Sequence, residues 1–94
     1  MHVVVRHYSG EGSSELFNLM EQRTEDIKEL ISGVPGFVHY SAVRGNGGGT
    51  TVTVCQDKDG TDESTRRAKT WISENLDTAI TPPTIDEGDT VIEF

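Results

Sequence analysis

Cysteine is almost missing from this sequence: Cys55 is the only one in 94 residues. That excludes an internal disulfide and any zinc site built from several thiolates. Positive charge is also scarce. Eight Lys and Arg stand against 16 Asp and Glu, for a net charge of −8. A protein that grips a phosphate backbone or an anionic lipid surface needs a basic face. Nucleic acid and membrane are therefore not expected as partners. Long apolar runs are absent, the longest being Val3-Val4-Val5. That is too short for a transmembrane helix or the core of a signal peptide. The length suits one domain spanning residues 1–94, since a second core would not fit. The expectation is a small, acidic, cytoplasmic protein.

The residues that are present alternate between strand and helix patterns. His2-Val3-Val4-Val5-Arg6-His7-Tyr8 is β-branched and reads as a first strand. Ser9 to Gly12 break it, and Ser13 or Ser14 suits a helix N-cap. The helix that follows is expected to run to about Ser32, where Gly33 and Pro35 stop it. At about 100° per residue, Leu16, Leu19, Met20, Ile27, Leu30 and Ile31 share one face of it. Glu21, Glu25, Lys28 and Glu29 lie opposite, while Arg23 falls inside the apolar stripe. Two strands, 37–44 and 50–56, flank Gly45-Asn46-Gly47-Gly48-Gly49 and read as a hairpin. Thr61 or Asp62 caps a second helix reaching Leu76, whose inward face is Ser64, Thr65, Ala68, Trp71, Ile72, Asn75 and Leu76. That face is small and polar. Pro82-Pro83 precede a last strand, 84–94, in which Gly88 reads as a bulge.

The order is βαββαβ: an α+β, ferredoxin-like fold with a four-stranded antiparallel sheet, two helices on one face and strand order 4-1-3-2. Two helices cover one sheet face only, yet both faces are apolar. Val3, Val5 and His7 point one way in the first strand, and Val4 and Tyr8 the other. An uncovered apolar sheet face of this size marks an interface. The expectation is a homodimer whose sheets pack face to face. Tyr8, Tyr40 and Cys55 share one parity, taken as the dimer face, and Cys55 reads as an inert buried thiol.

This order, the segment Val34-Pro35-Gly36-Phe37-Val38 entering the second strand, and the helix carrying Trp71 resemble the dimeric α+β barrel superfamily. Within it, the chain is most similar to the antibiotic-biosynthesis-monooxygenase-like domains. The resemblance covers roughly residues 2–94. It implies a pocket between sheet and helices within each subunit. It also implies cofactor-independent oxygenation of an aromatic substrate, or haem degradation, as the activities to consider.

Several residues could carry such chemistry. Arg23 could hold an anionic or quinone-like oxygen as a preorganised charge; alternatively its stem covers apolar surface or it pairs with an acid. Trp71 and Asn75, four apart on one helical face, could stack and orient a flat ligand, with Ser64 and Ala68 leaving room beside them. Alternatively Trp71 is core and Asn75 caps the helix end. His7 and His39 would face such a pocket if the Val3/Val5 side were the helix side, as a general base or as two walls. They are about 10 Å apart across two strand spacings, too far to share a metal. No phosphate-loop, metal or cofactor fingerprint is present, so no cofactor or metal is expected. The competing reading is a module that binds a hydrophobic or haem-like ligand without turnover, or serves only to dimerise.

Overall fold

The computed structural model describes Met1–Phe94. The elements are β1 (His2–Ser9), α1 (Ser13–Gln22), α2 (Thr24–Ser32), β2 (Phe37–Gly45), β3 (Gly48–Cys55), α3 (Lys58–Asn75) and β4 (Thr84–Asp89). The strands form one antiparallel sheet in the order β2-β3-β1-β4. This is the ferredoxin-like arrangement expected, with the helices on one face.

The expected first helix is two helices. Arg23 leaves helical geometry, with φ −119° and ψ 36°, and serves as C-cap of α1 and N-cap of α2. The Thr24 hydroxyl donates back to the Glu21 carbonyl at 3.0 Å. A threonine that bonds the preceding turn competes with the helical ladder and favours a break there.

The parity assignment is reversed. His2, Val4, Arg6 and Tyr8 are the buried side of β1, under the helices. Their partners across the ladder, Cys55, Thr53, Thr51 and Gly49, share that side. Tyr8, Tyr40 and Cys55 therefore face the helices rather than a dimer partner. Val3, Val5 and His7 lie on the open face. In β2 the register shifts between Phe37 and His39. This bulge turns Phe37 to the helix side and His39 to the open side, so two residues of equal sequence parity part company.

Four glycines, Gly48, Gly49, Gly60 and Gly88, sit within regular elements rather than in breaks. Gly88 pairs with Val3 in an unbroken register and is no bulge. β4 ends at Asp89, so residues 90–94 lie outside the sheet, the last rung being the Thr90 N–H to the Met1 carbonyl at 2.8 Å. The hairpin forms as expected with a shorter connection: Gly48 and Gly49 are strand, leaving a two-residue Asn46-Gly47 turn. A side chain at Gly49 would meet the Phe17 ring at 2.5 Å. Gly60 lies inside α3, which starts at Lys58 rather than at Thr61 or Asp62. A Cβ there would sit 2.2 Å from the Pro35 carbonyl oxygen, so glycine lets α3 approach the chain ahead of β2.

The core joins Tyr8, Leu16, Phe17, Ile27, Ile31 and Trp71. Tyr8 and Phe17 meet edge to face, with ring centroids 6.0 Å apart.

Candidate functional site

The break at Arg23 swings α2 over β2, an edge strand, and leaves a groove between the helices and that edge. Its volume is about 570 Å3, within the range of small-molecule sites. Phe17, Met20, Ile27, Ile31, Phe37 and Tyr40 make the walls and floor. Glu21, Thr24, Lys28, His39 and Arg44 form the polar rim. Arg44 donates to Glu21 at 2.7 Å and to Asn18 at 3.2 Å, tying the end of β2 to α1. Burial pushes the Tyr40 phenol up to about 12, against the pull of the Arg6 charge.

Behind this floor lies a second, smaller space of about 20 Å3, enough for about one water. It shares Met20, Ile27, Ile31 and Tyr40 with the groove and is closed by Ala68, Trp71 and Arg6. The helix–sheet pocket expected around Trp71 and Ala68 is thus nearly filled, and the roomy site lies beside it, toward β2.

Arg6 is the residue that sequence reading missed. Its side chain is 1% exposed, in the centre of the sheet under α3. Nε donates to Thr65 Oγ1 at 3.1 Å. One terminal nitrogen donates to Thr51 and Thr53 Oγ1 at 3.4 and 3.2 Å, the other to Ser64 Oγ at 2.6 Å and Thr65 Oγ1 at 2.9 Å. Every bond goes to a hydroxyl and none to a carboxylate. Burial lowers the guanidinium's pKa. The neighbouring phenols Tyr8 and Tyr40 are pushed up by burial and stay neutral, so they do not balance the charge. The polar inward face of α3 is the signal that could have revealed this: Ser64 and Thr65 face the core because a strand cation needs acceptors there.

The predicted residues do not converge on one pocket: Arg23, Trp71 and Asn75 meet, while His7, His39 and Ser64 lie apart from them. Arg23 is half-exposed, bridges to Asp26 and lies over the Trp71 ring, 5.8 Å from its centroid. Trp71 is buried in the core cluster. Asn75 Nδ2 donates to the Trp71 carbonyl at 2.9 Å, closing the end of α3. Ser64 holds Arg6 and donates to the Thr61 carbonyl at 2.7 Å. His7, on the open face, contacts Thr50 Oγ1 at 2.9 Å. His39 borders the groove, but its ring turns along the strand to Ser41 Oγ at 2.6 Å. The expectation that both imidazoles face the helix side is corrected by the reversed parity and the β2 bulge. β3 separates their strands.

No protein-family model matches the chain, and no curated protein is similar to it in sequence. Solved structures do match. A monooxygenase of Streptomyces coelicolor from the gene ActVA-Orf6, in complex with nanaomycin D, superposes with a TM-score of 0.66 at 20% identity, covering 99% of this chain and 89% of that one. A dimeric ferredoxin-like protein from an uncultured marine organism gives 0.64 at 18% identity, covering 99% and 94%. A variant of MhuD with two manganese protoporphyrin IX molecules per active site gives 0.63 at 14% identity, covering 99% and 95%. At these identities the likeness is one of fold: the chain has the ferredoxin-like α+β fold that a monooxygenase, a porphyrin-binding protein and a dimeric protein share.

Proposed function

We propose that the chain is a one-domain protein that binds a flat, largely apolar small molecule in the groove between α1, α2 and β2. The observation that carries this reading is the groove itself: about 570 Å3, walled by Phe17, Met20, Ile27, Ile31 and Phe37, with polar groups only at its rim. Apolar walls with few polar groups are the usual composition of such sites. A ligand that binds only the folded state raises its apparent stability by mass action. The test is therefore a thermal-shift panel of haem, flavins, quinones and hydroxylated polycyclic aromatics. A hit is expected among the flat aromatics and is expected to vanish in Ala42→Trp, which fills the groove from β2. A hit that survives Ala42→Trp would place the ligand elsewhere.

Turnover is the second reading, favoured by the fold shared with the nanaomycin-bound monooxygenase. In it the protein oxygenates an aromatic substrate without a cofactor. His39 at the rim and Arg23 over Trp71 are then the groups to test by oxygen consumption, with His7, Asn75, Ser64 and Ala68 as the remaining candidates. Homodimerisation through the open sheet face is also proposed. It is supported by Val3, Val5, Val52 and Val54 on that face and by the dimeric ferredoxin-like neighbour. A lone buried thiol, Cys55, suits a reducing cytoplasmic setting. No helix is long and apolar enough to cross a membrane.

A further inference from the structure

A buried cation with no carboxylate bonded to it needs an explanation. Hydroxyls satisfy all the N–H donors of Arg6, but they carry no net charge, and the one carboxylate whose charge reaches it, Glu87 on the neighbouring β4, is bonded to His2 and Lys58 instead. In a low-dielectric interior such a charge acts over many ångströms. The space next to Arg6 and the groove share Met20, Ile27, Ile31 and Tyr40. One layer of side chains thus separates the guanidinium from a ligand on the groove floor.

The rim points the same way. The chain carries a net charge of −8. Yet the charged groups that line the groove are Lys28 and Arg44 against Glu21 alone. Glu21 is already engaged by Arg44, which leaves the Lys28 ammonium without an acid. The acids Asp86, Glu87 and Asp89 lie on β4, beside β1 and at the opposite edge of the sheet from β2, so Glu87 is within reach of Arg6 while none of the three lines the groove. Charge in this molecule is sorted so that its one large groove is cationic.

We propose that Arg6 makes the groove select its ligand as an oxyanion, so that the ligand class is an aromatic phenol or enol bound in its ionised form. Arg6 does not touch the ligand; it is a specificity-determining residue that acts through a fixed field, as preorganised charges do in other sites. The ligand's proton is released to solvent on binding. The rim cations add attraction at the mouth, where water screens it, whereas Arg6 is dry. This inference rests on the groove being the ligand site.

The test uses 4-nitro-1-naphthol, whose ionised form alone is strongly coloured, titrated from acid to alkali with and without the full-length protein. The bound probe is expected to ionise about one pH unit lower than the free probe, equivalent to a roughly tenfold preference for the oxyanion. Arg6→Lys keeps a buried positive charge and is expected to keep the shift. Arg6→Met is expected to abolish it, while Lys69→Met, the same charge change on an exposed helix face, leaves it intact. Lys28→Met is expected to retain most of it. A shift that persists in Arg6→Met, or disappears in Lys28→Met alone, overturns the proposal. If Arg6→Met does not fold, the wild-type arm still decides: a bound probe that ionises at or above the pH of the free probe overturns it. Absence of binding at every pH overturns the ligand site itself, an outcome distinct from binding without a shift.

Discussion

Four hydroxyls, from Thr51, Thr53, Ser64 and Thr65, hold one buried guanidinium. Because the donor is charged and dry, losing an acceptor costs more than the bond's net worth. Thr53 is fully buried, and Thr53→Val is nearly isosteric and better in a strand. It is nevertheless expected to destabilise the fold by about 1–3 kcal/mol, because a buried charged donor is left short. Urea unfolding checks this, and a gain in stability would show that Arg6 does not depend on this ladder. His2 carries a second prediction. Its ring lies between Asp89 at 3.0 Å and Glu87 at 2.9 Å, which raise its pKa while it lowers theirs. The His2 contribution is present below its unfolded value of about 6.5 and is lost as pH rises through the higher folded value. The two carboxylates work in the other direction, losing their contribution as pH falls through their lowered values. The Tm gap between wild type and His2→Gln is therefore expected to be largest on the mildly acidic side of neutrality and to close in alkali. A gap independent of pH would deny the charged bridge. Neither group was legible in sequence. An Arg or His in a half-apolar strand reads as solvent-facing, and only the partner residues on β3, α3 and β4 reveal otherwise.

Among the elements, the strands and their order could be read because β-branched alternation and an Asn-Gly turn leave few choices. The faces could not. β1 offers Val3 and Val5 to one side and Val4 and Tyr8 to the other, so apolar counting is balanced. What decides is the core's need for Tyr8 against Phe17 and for Arg6 against Ser64. The groove was equally hidden, since it depends on the break at Arg23 and on the shifted register after Phe37, and the helical wheel shows neither. It placed Lys28 on the far side of an unbroken helix, whereas α2 brings it to the groove rim. Gly60 stands ahead of the helix start expected at Thr61 or Asp62, yet it is the point where α3 presses on the Pro35 carbonyl and on Cys55. Gly60→Ala improves helix propensity and is still expected to cost about 1–3 kcal/mol by overpacking. A rise in Tm for that variant would contradict the close approach.

At the scale of the molecule, the sheet separates two surfaces of different character. One carries the helices and the groove; the other is open and valine-rich, with Val43 58% exposed. Val5→Asp with Val54→Asp puts charges into the centre of that open face without touching the core. Sedimentation is expected to show a dimer for the wild type and a monomer for the double variant, with helical content unchanged. A wild type that sediments as a monomer would remove the interface.

Because the groove runs along β2, the outer strand, its mouth opens sideways past Val38, His39 and Ala42, all exposed. No segment has to lift for a molecule to arrive. Capture should therefore proceed in one step, with an observed rate that climbs linearly with ligand concentration and shows no plateau from a preceding rearrangement. Selectivity then has to reside in how long a molecule stays, since every flat aromatic of suitable size can reach the floor.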